Sequence, residues 1–237
     1  MELAERYAHV YAAVGFHPSD ADAFTEDSLD QLRQLARHPK VRAIGEIGLD
    51  YYWTDYAGHD RQKEVLRQQL ALAQELDLPV IFHDREAHGD SLAVVKEFPG
   101  VRWVFHCYSG SLEDAKTLIA LGWNLSFTGS ITYKNAKKAP EVLTWIPEDR
   151  FMIETDAPYM LPYPRVKGRS GTTPAAPPDR RQNRRHPRPH RGGGGADQHR
   201  ERHPLLRPGG RLPGTLILFC RICFSSTRKT THDRRKL

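Results

Sequence analysis

The stretch Val-Arg-Ala-Ile-Gly-Glu-Ile (41–47), continued by Gly-Leu-Asp (48–50), sets a carboxylate inside an apolar run. A charge in such a segment must be paired or bound to a cation to offset its desolvation. Glu46 is therefore read as a functional group, with Asp50 behind it. The same design recurs along the chain. Val-Gly-Phe (14–16) leads to His17, and Val-Ile-Phe (80–82) ends at His83 with Arg85 close behind. Val-Phe (104–105) ends at His106, and Phe-Met-Ile (151–153) ends at Glu154 and then Asp156.

These runs predict strands over Val10–Gly15, Val41–Ile47, Pro79–His83, Arg102–His106, Asn124–Thr128 and Arg150–Glu154. Helical patterns lie between them, at Asp27–Arg37, Asp60–Leu76, Ser91–Glu97, Leu112–Ala120 and Pro140–Trp145. Strands rich in Val, Ile and Phe, each followed by a helix, indicate parallel βα units. Such a series suits an open doubly wound sheet or most of an eight-stranded barrel. Neither Gly-x-Gly-x-x-Gly nor a phosphate-loop motif is present, so the usual nucleotide-fold signatures are excluded. The polar strand ends favour the barrel, because its strand C-termini converge on one face. Imidazoles and carboxylates gathered there without a cysteine suit a hydrolytic Zn²⁺, Mn²⁺ or Mg²⁺ site.

Single residues carry plainer readings as well. His17 alone could be a hydrogen-bonded loop residue, and Asp156 before Ala157-Pro158 could cap a turn. Arg85 could pair with Asp84 or Glu86 or hold a phosphate. Tyr108, Ser109 and Tyr133 read first as packing or loop residues.

Composition narrows the classes further. The chain has 237 residues, and no run approaches the roughly eighteen apolar residues of a membrane span. The opening residues lack the basic and apolar regions of a secretory signal. Three cysteines (Cys107, Cys220 and Cys223) make no disulfide framework, so a cytoplasmic location is expected. From Arg165 onward there are 19 Lys+Arg against 4 Asp+Glu, whereas residues 1–164 hold 16 against 25. That split suggests an acidic body with a basic arm.

Taken together, the motifs resemble the TatD-related metal-dependent deoxyribonucleases. Those that carry the resemblance are Gly-Phe-His-Pro (15–18), Gly-Glu-Ile-Gly-Leu-Asp-Tyr-Tyr-Trp (45–53) and Pro-Val-Ile-Phe-His-Asp-Arg-Glu-Ala (79–87). His-Cys-Tyr-Ser-Gly (106–110) and Ile-Glu-Thr-Asp-Ala-Pro-Tyr (153–159) complete the set. The resemblance implies an incomplete TIM (β/α)8 barrel over residues 1–171 that cleaves phosphodiester bonds in DNA. In the family pattern Glu46 bridges two divalent ions, and His83 and His106 hold one of them. Asp156 binds the other and takes a proton from the attacking water. Arg85 and His17 are the candidate phosphate contacts.

Two departures from the family pattern set further expectations. The first strand of the family, with its His-x-His ligand pair, has no counterpart, since Met1–Tyr7 reads as the end of a later helix. About six βα units are then expected, with two apolar sheet edges and one of the two metal ions retained. The second departure is residues 172–237, rich in Pro, Arg and Gly, expected to be disordered or out of frame. Residues 190–207, back-translated and read one base later, permit Ile-Ala-Glu-Val-Glu-Glu-Leu-Ile-Asn-Thr-Glu-Asn-Ala-Ile-Arg-Phe-Phe-Ala. That decoding resembles the closing helix of the family. In such a segment the Cys220–Cys223 pair carries no meaning, and Leu216–Phe219 is at most a sticky run. The rival readings are a non-catalytic remnant and a nucleic-acid-binding protein acting through the basic arm. Nothing in the sequence fixes an oligomeric state.

Overall fold

A computed structural model describes residues 1–157 and 159–163, together with the backbone of residues 216–217. Six successive strands form one sheet: β1 (Val10–Val14), β2 (Val41–Asp50), β3 (Val80–Arg85), β4 (Trp103–Phe105), β5 (Asn124–Phe127) and β6 (Phe151–Ile153). Each pairs in parallel with the next, so that sequence order is spatial order. The helices are α1 (Glu2–Arg6), α2 (Glu26–Ala36), α3 (His59–Glu75), α4 (His88–Lys96), α5 (Leu112–Ala120) and α6 (Lys138–Trp145). Unbroken sequential parallel order with helical crossovers is barrel topology, and the sheet is a curled half-barrel. The doubly wound alternative, which needs a reversal in strand order, is excluded.

Local signals explain the element boundaries. Helix α5 starts where the Ser111 hydroxyl accepts from the Asp114 amide (3.1 Å) and Asp114 reaches back to Ser111. Thr25 and Ser28 make the corresponding reciprocal cap on α2. Helix α3 ends at Asp77, whose φ of 48° is the left-handed step that turns the chain into β3.

Both faces of the sheet are covered, and unequally. The outer face packs Ile44, Ile47, Phe82, Trp103, Phe105 and Leu125 against Leu32, Leu66, Leu70 and Leu118 of the helices. The inner face has a small cluster of Ala13, Ala43, Ile81 and Val104, with Met152 against it. These come from β1, β2, β3, β4 and β6, one residue each, which is how a barrel interior is filled. Strand side chains alternate, so two residues further on the same inner face come His83, His106 and Glu154.

The last strand, β7 (Leu216–Ile217), pairs in parallel with β1, Val10 opposite Leu216 and Tyr11 opposite Ile217. The first two residues of the run read as a sticky segment thus lie along the β1 edge, which the sequence leads one to expect bare. The expectations of disorder, an altered frame and a meaningless Cys220–Cys223 pair fall outside the described residues. No described helix is long and apolar enough to cross a membrane.

One ion pair gives the half-barrel a pH signature. Asp84 Oδ2 accepts from His88 Nδ1 at 2.6 Å, tying the end of β3 to the first turn of α4. This bond, opposed by burial, raises the imidazole pKa above its ordinary 6.5. A raised pKa contributes stability that is complete below the unfolded value and is lost as pH rises through the folded one. His88→Ala is therefore expected to cost about 1 kcal/mol near pH 5.5 and much less above about pH 8.5. Urea unfolding of both proteins at the two pH values checks this, and equal costs would exclude the ion pair as the cause.

Candidate metal centre

The site is built from the C-terminal ends of the strands. Between Ile44 and Ile47 the β2–β3 register is irregular, which brings Glu46 to the inner face that Ala43 occupies three residues earlier, and regular alternation then puts Asp50 on that face too. His83 lies between them: its Nδ1 meets Glu46 Oε1 at 3.1 Å and its Nε2 meets Asp50 Oδ2 at 3.1 Å. His106 Nε2 closes on the same Glu46 Oε1. One carboxylate oxygen is thereby shared by imidazoles from two neighbouring strands.

Each imidazole is oriented from behind. His106 Nδ1 faces Glu154 Oε2 at 3.2 Å, and the other Glu154 oxygen accepts from the Cys107 amide (2.7 Å) and the Ser126 hydroxyl. Asp50 does the same for His83, and its Oδ1 also accepts from the Tyr52 amide at 3.0 Å. A carboxylate behind each imidazole fixes the orientation of the ring, as imidazole ligands require. Helix α3 holds the loops behind the site. Gln62 bonds the amide and carbonyl of Asp50, and Gln69 those of Phe16. The two glutamines are seven residues apart, hence on one helix face.

His17 follows β1 and caps the 3-10 turn Pro18–Ala23, its Nδ1 accepting from the Ser19 amide at 3.2 Å. Its ring lies 4.5 Å from that of His83, and one donor atom each from His17, Glu46 and His83 fall within 4.8 Å of one another. The residue read as a phosphate contact therefore stands among the metal-type donors.

Charge in the cluster is strongly coupled. Burial works to raise the Glu46 pKa, but His106 and His83 outweigh it and hold the carboxylate well below its usual range. Burial likewise disfavours the His106 imidazolium, yet Glu154 and Glu46 raise its pKa well above the ordinary value. Asp156 behaves differently. Burial, aided by Glu46 and Glu154, pushes it up to about 6 against the opposing imidazoles. Its φ of 46° is a left-handed conformation that few non-glycine residues adopt.

The donors fit a divalent cation. They are imidazole nitrogens and carboxylate oxygens, buried at His17 and His106 and partly buried at Glu46 and His83, with no thiolate in the cluster. A cation held there would supply the positive charge that these carboxylates call for, and would compete with protons for the imidazole nitrogens. Arg85 sits at the rim. Its guanidinium lies 3.9 Å from the centre of the Tyr52 ring, and its charge helps lower the Asp50 pKa. Tyr108 is buried and donates to the Ser111 carbonyl, so it packs.

The sequence marks Asp50 and Glu154 as polar strand-end groups but does not assign them the support of a particular imidazole. Both stand at strand ends in the sequence, but the imidazole each supports is set by the curl of the sheet.

Imidazoles and carboxylates gathered at the C-terminal ends of parallel barrel strands are the kind of donor set that takes a divalent cation. The sequence profile described as TatD related DNase matches residues 1–187, and the chain belongs to that family. It is 48% identical over 166 residues to an uncharacterized metal-dependent hydrolase, YabD, of Bacillus subtilis, covering 69% of this chain and 65% of that protein. A relative from Cronobacter turicensis, a 3'-5' ssDNA/RNA exonuclease TatD, is 38% identical over 165 residues, covering 68% and 62%. The crystal structure of the TatD homologue YjjV from Escherichia coli K12 superposes with a TM-score of 0.66 at 38% identity, covering 75% of this chain and 67% of that one. The chain thus spans less than two thirds of the length of these curated relatives.

Proposed function

We propose that the chain is a divalent-metal-dependent phosphodiesterase acting on DNA. The observation that carries this is the single Glu46 oxygen met by both His83 and His106. Glu46, His83 and His106 would hold one cation, and His17 offers a further donor beside Glu46 and His83. A cation bound there supplies positive charge and Lewis acidity beside a scissile phosphate. Glu154 and Asp50 keep the two imidazoles aimed at it. Asp156, its carboxyl pushed up to about 6, would accept the proton of an attacking water, and in the family pattern it would also bind a second ion. Arg85 offers a guanidinium to a neighbouring phosphate. A relative named as a 3'-5' ssDNA/RNA exonuclease supports single-stranded ends as the first substrate to try. A cytoplasmic location is part of the same reading, supported by the sequence features above.

The test is release of nucleotides from an end-labelled DNA single strand with Mn²⁺, Mg²⁺ or Zn²⁺. Metal-stimulated release, stopped by a chelator and reduced about a hundredfold or more in Asp156→Asn, is expected. Release that is independent of both metal and Asp156 would reject the assignment.

A further inference from the structure

Beside the metal centre, at the end of the sheet where β2 and β3 finish, two large aromatic side chains stay in solvent. Tyr52 is 46% exposed and Trp53 41%. Their rings stand edge to face, with centroids 4.9 Å apart and planes at 89°. The Arg85 guanidinium lies over Tyr52 and 5.5 Å from the Trp53 ring. Exposed apolar residues scattered singly need no explanation, but an adjacent aromatic pair topped by a cation is a different object.

This group is fastened to the centre on two sides. Asp50 accepts from the Tyr52 amide through one oxygen and meets His83 through the other. The Tyr51 amide donates to the Arg85 carbonyl at 2.9 Å. The loop continues to Tyr56, whose ring lies edge-on to His17 at 6.3 Å. The aromatic pair is therefore held at a set distance from the donors that would face a phosphate.

We infer that Tyr52, Trp53 and Arg85 form a subsite for an unstacked nucleobase and its phosphate, next to the scissile bond of a single strand. Every base offers a π-face, so stacking on such rings is tolerant of sequence, while the guanidinium answers the backbone charge. A base paired within a duplex has no free face to offer, which makes single-stranded ends the class that fits. The inference rests on the phosphodiesterase reading and names the part of its substrate that the rim recognises.

The test reads binding in a chelator, where cleavage plays no part. A fluorescein-labelled oligothymidylate and an abasic strand of equal length and charge are titrated with the full chain. Wild type is expected to bind the thymidylate strand about tenfold or more tightly than the abasic one. Tyr52→Ala combined with Trp53→Ala should remove that preference, and Tyr52→Phe combined with Trp53→Phe should keep it. Equal affinity of wild type for the two strands, or no measurable binding of either, overturns the inference. So does an alanine variant that keeps the preference. A chain that prefers the thymidylate strand but releases no nucleotide with metal present loses the phosphodiesterase reading and keeps the subsite.

Discussion

Glu46→Gln is expected to abolish metal-dependent cleavage, with a loss on the order of a thousandfold or more, and to weaken cation binding at the same time. The substitution keeps the shape and removes the charge. Both His83 and His106 meet the same Glu46 oxygen, so a change there acts on both imidazoles at once. Its carboxylate is held ionised by those imidazoles against the penalty of burial. An amide there could donate to one imidazole, but it offers a cation a single neutral oxygen. Calorimetric titration with Mn²⁺ and the cleavage assay, run on the same preparations, separate the two losses. Unchanged cation affinity would place the metal elsewhere, and unchanged cleavage would remove Glu46 from the chemistry.

Gly48→Ala is expected to cost about 4 kcal/mol or more, enough to leave little folded protein. A methyl group at Gly48 would lie 1.9 Å from the His83 carbonyl oxygen and 2.7 Å from its carbon. Those are backbone atoms, so nothing can rotate out of the way. The φ of +153° adds strain for any side chain. Relief requires β2 and β3 to part where His83 stands opposite Gly48. The control is Gly89→Ala in α4, where an added methyl meets nothing within 4 Å. Gly89→Ala should be neutral or stabilising by about 0.5 kcal/mol. Chemical denaturation of the three proteins checks both, and a Gly48→Ala chain of wild-type stability would refute the close approach.

Much of this architecture is legible in the sequence because parallel strands read as continuous apolar runs. All six strands fall within three residues of their expected ends, and α5 has the bounds Leu112–Ala120 that its pattern predicts. The strand that differs most is β2, which runs on to Asp50. Gly48 looks like a terminator, yet in the sheet it is the residue that lets two backbones meet. The 3-10 turn Pro18–Ala23 has no apolar period and gives no signal. Strand-end polarity marks Glu46, His83, His106, Asp156 and His17 as members of one region. It carries no information on which neighbour each faces, because strand curl and the irregular register of β2 decide that. For the same reason Arg85 reads as a phosphate contact or an ion-pair partner, and its place against Tyr52 is visible only in three dimensions.

The residues of the candidate metal centre stand in or just after β1, β2, β3, β4 and β6, and helices cross over between successive strands. A cation seated among them is in contact with nearly the whole sheet. Binding and folding then become one equilibrium, since an opened sheet has no site to offer. At a free concentration a hundred times the dissociation constant, such a ligand adds about 2.7 kcal/mol to the unfolding free energy. An ion bound there would be a clasp as well as a reagent, and the melting temperature would become a gauge of its occupancy.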